Sequence, residues 1–220
     1  MKTVVFDLDG TLADTSADLL AAANACFGGL GLGAPLGQGD ALTAFHGGRA
    51  MLRLGFSRLG ADWSEADVDA QYPVLLAAYA DAICVQTRLY PGAVAAVEGL
   101  RDAGYALSIC TNKPEGLAED LTRRLGIRDL FGALVGADTL PVRKPDPAPY
   151  VAAVERAGGV VARSMLVGDT DTDRRTARAA GVPVALVTFG PEGAGVARFA
   201  PEALLHDYAD LAGLAPRLIG

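Results

Sequence analysis

Short apolar runs alternate with helical patterns along most of this chain, and that alternation constrains the fold more than any other feature. The runs are Lys2 to Phe6, Tyr105 to Cys110, Leu134 to Val135, Ser164 to Val167 and Val182 to Val187. Brief, continuous apolar stretches with β-branched residues are what a strand covered on both faces requires. Between them lie helical patterns at Ala93 to Ala103, Glu115 to Leu125, Ala148 to Ala157 and Thr172 to Ala180, followed by Gly104, Gly126, Gly158 and Gly181. Glycine suits the left-handed residue that commonly ends a helix. Strand and helix in alternation predict an α/β fold with a mostly parallel sheet.

The rhythm breaks once. Residues 14–88 carry helical patterns at Ala17 to Cys26, Gly48 to Leu59 and Glu65 to Ile83, with no convincing strand. The expected organisation is therefore a catalytic core from 1–13 and 89–220, with a small helical cap from 14–88 inserted after the first strand. Leu19 to Gly39 has no charge, but six glycines and Pro35 crowd its second half, so it reads as a helix running into a loop rather than a membrane span. The tail after Pro191 reads as loop and short helix, with no assigned function.

Composition narrows the partners. Nineteen basic against 26 acidic residues give a net charge of -7, which argues against a chain that grips nucleic acid by neutralising phosphates. An anionic ligand must then be attracted by local groups, and lysine occurs only at positions 2, 113 and 144. Cys26, Cys84 and Cys110 show neither a disulfide framework nor metal-type spacing, which fits a reducing cytoplasm. The apolar run before Asp7 is too short for a signal peptide. A monomer or a homodimer is expected.

In an open parallel sheet, ligands gather beyond the carboxyl ends of strands. The polar clusters fall at such ends: Asp7-Leu8-Asp9-Gly10-Thr11, Thr111-Asn112-Lys113 and Gly168-Asp169-Thr170-Asp171-Thr172-Asp173; Arg143-Lys144-Pro145-Asp146-Pro147 leads into a helix. Asp7, Asp9 and Asp169 brought to one point would repel one another unless a cation sat among them, and an all-oxygen set suits Mg²⁺ better than zinc. A dication with Lys144 makes a field suited to a phosphate group. Asp7, at the strand tip, is placed to attack phosphorus and form an acyl phosphate. Asp9, two residues on, is placed to protonate the leaving oxygen and then to take a proton from the attacking water. Gly10 allows a tight turn. Thr111 and the amides after it, Asn112 included, suit the phosphoryl oxygens, and Lys144 suits the charge that builds in the transition state. Asp173 reads as a partner for Lys144 or for water on the metal rather than as a direct ligand.

The patterns Val4 to Thr11, Thr111-Asn112-Lys113, Lys144-Pro145-Asp146-Pro147 and Gly168-Asp169-Thr170-Asp171-Thr172-Asp173 together resemble the four motifs of the haloacid dehalogenase-like superfamily. Within it the chain is similar to phosphoglycolate phosphatase-like members, which have a Rossmann-like core and a helical cap after the first strand. That resemblance implies an Mg²⁺-dependent phosphatase whose metal is held by Asp7, the backbone carbonyl of Asp9 and Asp169. The implied substrate is a small phosphorylated metabolite, 2-phosphoglycolate as the specific expectation, with sugar phosphates, nucleotides, mutase chemistry or a non-catalytic anion-binding module as alternatives. Asp9 argues against dehalogenation, and the lack of any lysine between Lys2 and Lys113 argues against Schiff-base phosphonate chemistry.

In the insertion, Phe45-His46-Gly47-Gly48-Arg49 reads as a loop near the crevice, where Arg49 is a candidate for a substrate carboxylate. A solvent-facing arginine that merely starts a helix is an equally good reading. Trp63 and Tyr72 are expected to fill the insertion's own core, Cys110 to be a buried inert thiol, and His206 and Asp171 to have no role in the chemistry.

Overall fold

The computed structural model describes residues 1–60 and 62–220. Six parallel strands form the sheet: β1 (Thr3–Phe6), β2 (Ala106–Cys110), β3 (Ala133–Val135), β4 (Ser164–Gly168), β5 (Val184–Val187) and β6 (Ala203–Leu205). Their order is β3-β2-β1-β4-β5-β6. Thr3 pairs with Ala106 on one side of β1 and with Ser164 on the other. The chain builds outward from β1 first in one direction and then in the other, so the order reverses there. A crevice opens at the strand ends beside such a reversal.

The four residues of β1 and the five of β2 are all buried, which explains their unbroken apolar character. On one face Val5, Cys110, Val135, Leu166, Val184 and Leu186 pack with Tyr150, Ala153 and Val154 of helix Ala148–Arg156 and with Ala177 of helix Asp171–Ala180. The alternate residues point to the opposite face. There Phe6 meets Phe131 edge-on at 6.0 Å.

The tail departs from expectation. Ala203–Leu205 is a sixth strand, paired in parallel with β5, whereas Leu211–Ile219, with Leu211, Leu214, Ala215 and Ile219 buried, is the short helix expected there. The residues Ala-Leu-Leu have helical preference when taken alone; pairing with a distant strand overrides it. At β5 the strand begins at Val184 rather than Val182, because Pro183 offers no amide to the ladder.

The chain divides into two compact units, one of residues 1–14 with 89–220 and one of residues 15–88. The second is helical: α1 (Ser16–Gly29), α2 (Ala41–Phe45), α3 (Gly48–Leu59) and α4 (Glu65–Asp81). Its core includes Phe27 edge-on to Phe56 at 5.1 Å, and Trp63 stacks on Phe56 at 6.0 Å. Gly55 of α3 lies so close to the Phe27 ring that an added Cβ would stand 2.2 Å from a ring carbon. Asp18 of α1 is buried and accepts from the amides of Val85, Gln86 and Thr87 and from the Thr87 hydroxyl, tying the unit's last turn to its first helix. No helix among the described residues is long and apolar enough to cross a membrane.

Candidate active site

The loop after β1 is wound around one carbonyl. Leu8 O accepts from the amides of Leu12 at 3.0 Å and Ala13 at 3.1 Å, and Gly10 makes the turn with φ +80°. That conformation costs glycine little. The turn leaves Asp7 and Asp9 at the carboxyl edge of the sheet. Asp7 Oδ1 accepts from the Leu8 amide at 2.7 Å and lies 3.1 Å from Lys144 Nζ. The same ammonium is 2.6 Å from Asp173 Oδ1. Lys144 thus bridges two aspartates while its side chain is 1 % exposed.

Asp173 works with both oxygens. Oδ2 accepts from the amides of Asp169 and Thr170 and from the Thr170 hydroxyl, capping helix Asp171–Ala180, while Oδ1 holds Lys144. This agrees with a partner role toward Lys144. Asp169 is fixed through Oδ1, which accepts from the Thr11 hydroxyl at 3.1 Å. Its Oδ2 is buried with no hydrogen-bond partner among the described residues.

An orphaned buried carboxylate oxygen is costly, so it points to a group that would satisfy it. Oxygens of Asp7, Asp169 and Asp173 lie within 4.8 Å of one another. Together with Asp9 these make four carboxylates, against which stand Lys144 and Lys113, the latter 3.0 Å from Asp9 Oδ1. With all six ionised the cluster carries a formal charge of −2, the complement of one divalent cation. The donor set fits a hard, oxygen-seeking ion.

The electrostatics reflect that crowding. Burial pushes the Asp7 carboxyl up to about 6, reinforced by Asp173 and Asp9 and opposed by Lys144. Asp169 is likewise raised well above the usual carboxylate range by burial and by the Asp173 and Asp7 charges. Burial works to lower Lys144, but Asp173 and Asp7 outweigh it and hold the ammonium more firmly charged than a free lysine. Beside it the Cys110 thiol, fully buried, is pushed up to about 12 by burial and remains protonated.

Thr111, buried at the end of β2, donates its amide to Val135 O, and its hydroxyl oxygen accepts from the Lys113 amide. Asn112 is exposed and donates Nδ2 to Lys144 O at 3.0 Å, so it ties two motifs together. Arg49, in the helical unit, pairs with Asp69 and lies over the Tyr72 ring at 4.6 Å. It therefore has partners within that unit, as the plain helix-start reading of the sequence allowed. Asp171 lies 3.9 Å from Arg175 and His206 shares a hydrogen bond with Thr188, neither with any part in the cluster.

Three contributors escaped the sequence. Thr11 fixes Asp169, Lys113 pairs with Asp9, and Tyr208 of the supposedly roleless tail donates its hydroxyl to Thr11 O at 2.8 Å. Lys113 carried a signal in the scarcity of lysine; Tyr208 carried none, being 197 residues from its acceptor.

The model of haloacid dehalogenase-like hydrolases matches residues 1–181. The chain belongs to that family. It is 38 % identical over 209 residues to a phosphoglycolate phosphatase of Agrobacterium fabrum, covering 94 % of this chain and 89 % of the relative. It is 39 % identical to a phosphoglycolate phosphatase of Mesorhizobium japonicum, over 98 % of this chain and 96 % of the relative. A crystal structure from Haemophilus somnus, described as a predicted phosphoglycolate phosphatase, superposes with a TM-score of 0.81 at 26 % identity, over 97 % of each chain. The chain is thus an enzyme of this hydrolase family, a phosphoric monoester hydrolase similar to phosphoglycolate phosphatases.

Proposed function

We propose that this hydrolase is an Mg²⁺-dependent phosphatase that passes the phosphoryl group of a small monoester to Asp7 and from there to water. The observation that carries the reading is the orphaned Asp169 Oδ2 beside Asp7, in a cluster whose two lysines leave charge for one dication. Asp7 and Asp169, with the Asp9 carbonyl that the family resemblance implies, would hold Mg²⁺. When bound, the ion neutralises the approach of one anion to another and polarises the phosphoryl group.

The remaining work falls to the chain. Both contacts of Asp7 described above engage Oδ1, which leaves Oδ2 to attack phosphorus. Asp9 gives a proton to the departing oxygen and takes one from the water that later attacks the acyl phosphate. Thr111, with its oxygen already accepting from Lys113 N, has its hydroxyl proton to donate to a phosphoryl oxygen. Asn112 contributes its backbone amide to the same oxygens, whereas the Gly10 amide, expected at the substrate, is taken by Ala13 O at 2.9 Å and serves the turn. Lys144 balances the charge that builds on the phosphoryl group. The helical unit serves as the cap that selects the ester. The relatives' name makes 2-phosphoglycolate the first ester to try, with sugar phosphates and nucleotides as the competing classes.

The test is turnover of a panel of monoesters with Mg²⁺ and with chelator, together with Asp7→Asn and Asp9→Asn. Wild type should release phosphate only with metal, Asp7→Asn should be inactive, and Asp9→Asn should accumulate label on Asp7 in quenched reactions. Turnover by Asp7→Asn, with no phosphoryl label on Asp7 in quenched reactions of the wild type or of Asp9→Asn, would overturn the mechanism. Arg49→Ala should raise KM more for carboxylated than for neutral esters; equal increases would remove Arg49 from the substrate site.

A further inference from the structure

Lys113 has no task in the mechanism above, yet its ammonium is buried at the site. Its side chain is 4 % exposed and Nζ is 3.0 Å from Asp9 Oδ1. The backbone is held on both sides: the amide donates to Thr111 Oγ1 at 3.2 Å and the carbonyl accepts from Ala137 N at 2.9 Å. A lysine stem ordinarily samples many rotamers. Here a packed stem on a fixed backbone presents the ammonium at one place. Asp9 is less confined, with its side chain 18 % exposed. A donor on one carboxylate oxygen sets the direction of the other.

We propose that Lys113 is a positioning residue that holds Asp9 Oδ1 so that Asp9 Oδ2 is the oxygen exchanging a proton with the leaving group. The inference rests on the phosphatase reading. In the step concerned, Asp7 Oδ2 forms its bond to phosphorus as the ester P–O bond breaks. The electron pair of that bond goes to the departing oxygen, which takes the proton from Asp9 Oδ2 and leaves as an alcohol. Asp9 is left as the carboxylate that later accepts a proton from water.

Such a role makes the cost of losing Lys113 depend on the ester. An alkyl alcohol needs the proton in order to leave, whereas 4-nitrophenolate departs without it. The value of kcat/KM reports the steps through transfer to Asp7. With Mg²⁺ present, Lys113→Met should lower kcat/KM for the alkyl phosphate best used by the wild type on the order of 100-fold, but for 4-nitrophenyl phosphate by less than about threefold. The ratio of the two values does not depend on how much of the sample is folded. In an Asp9→Asn background, adding Lys113→Met should leave both esters unchanged within about twofold.

Equal losses on the two esters, or an undiminished loss in the Asp9→Asn background, would overturn the inference; either is what a lysine touching the phosphoryl group or merely holding the fold produces. Failure of the wild type to turn over any ester would instead sink the phosphatase reading, and this inference with it.

Discussion

At the scale of single residues, Asp7 sets a pH dependence that can be measured without any substrate. Its carboxyl is held near 6, above the ordinary 3.8, chiefly by burial. The folded protein therefore keeps this proton to higher pH than the unfolded chain does. The Asp7 contribution to the stability of the metal-free protein should fall as pH rises from about 4 to about 6, a cost of about 3 kcal/mol. Urea titrations without metal should show that segment flattened in Asp7→Asn. The same proton competes with a cation, so Mg²⁺ affinity measured calorimetrically should be at least about tenfold weaker at pH 5 than at pH 7.5. A pH-independent affinity would mean that Asp7 is not a ligand. The sequence made Asp7, Asp9, Lys144 and Asp169 legible because each closes a recognisable strand-end or helix-start pattern. Lys113 and Thr11 sat inside the same patterns, but their partners are set by side-chain direction, which a linear motif does not encode.

At the scale of elements, α1 and α3 meet through a void that glycine leaves for an aromatic ring. Gly55→Ala would drive a methyl into Phe27, so denaturant unfolding should show a loss of about 1–3 kcal/mol from overpacking. Phe27→Leu should cost less in that background than alone, because the smaller side chain relieves the clash; simple additivity would show that the contact is not the cause. Helix α3 spans the interval expected from its pattern, Gly48 to Leu59, whereas α1 runs to Gly29 rather than stopping at Cys26. Its glycines extend a helix held by packing, with Cys26 and Phe27 buried, against their low intrinsic preference. The core strands were legible to within about two residues because burial on both faces demands apolar side chains at every position. The edge strand β6 was not, since Ala203 and Leu204 are only partly buried and it pairs on one side alone.

At the scale of the whole molecule, four aspartates drawn from distant parts of the chain are held together with Lys144 and Lys113 among the described residues. A cation that binds only the folded state stabilises it by mass action, about 2.7 kcal/mol at 100 times its Kd. For a chain of this length that corresponds to a Tm increase of roughly 5–10 °C. Scanning calorimetry should show such an increase with Mg²⁺, its loss with chelator, and little response in Asp169→Asn. An equal response in Asp169→Asn would place the ion elsewhere.

The sequence by itself determined the alternating α/β architecture, the break that the helical unit fills, and the strand ends that carry the carboxylates. It could do so because burial and strand-end chemistry write themselves into local residue type. Tertiary structure alone decided that Lys144 meets Asp7 through Oδ1, that Thr11 meets Asp169 through Oδ1, that Lys113 faces Asp9, and that a tail residue, Tyr208, steadies the loop bearing Thr11. Those facts depend on where side chains from separate strands converge. Such convergence is fixed by sheet order and packing across the whole chain, and no short stretch of it contains that information.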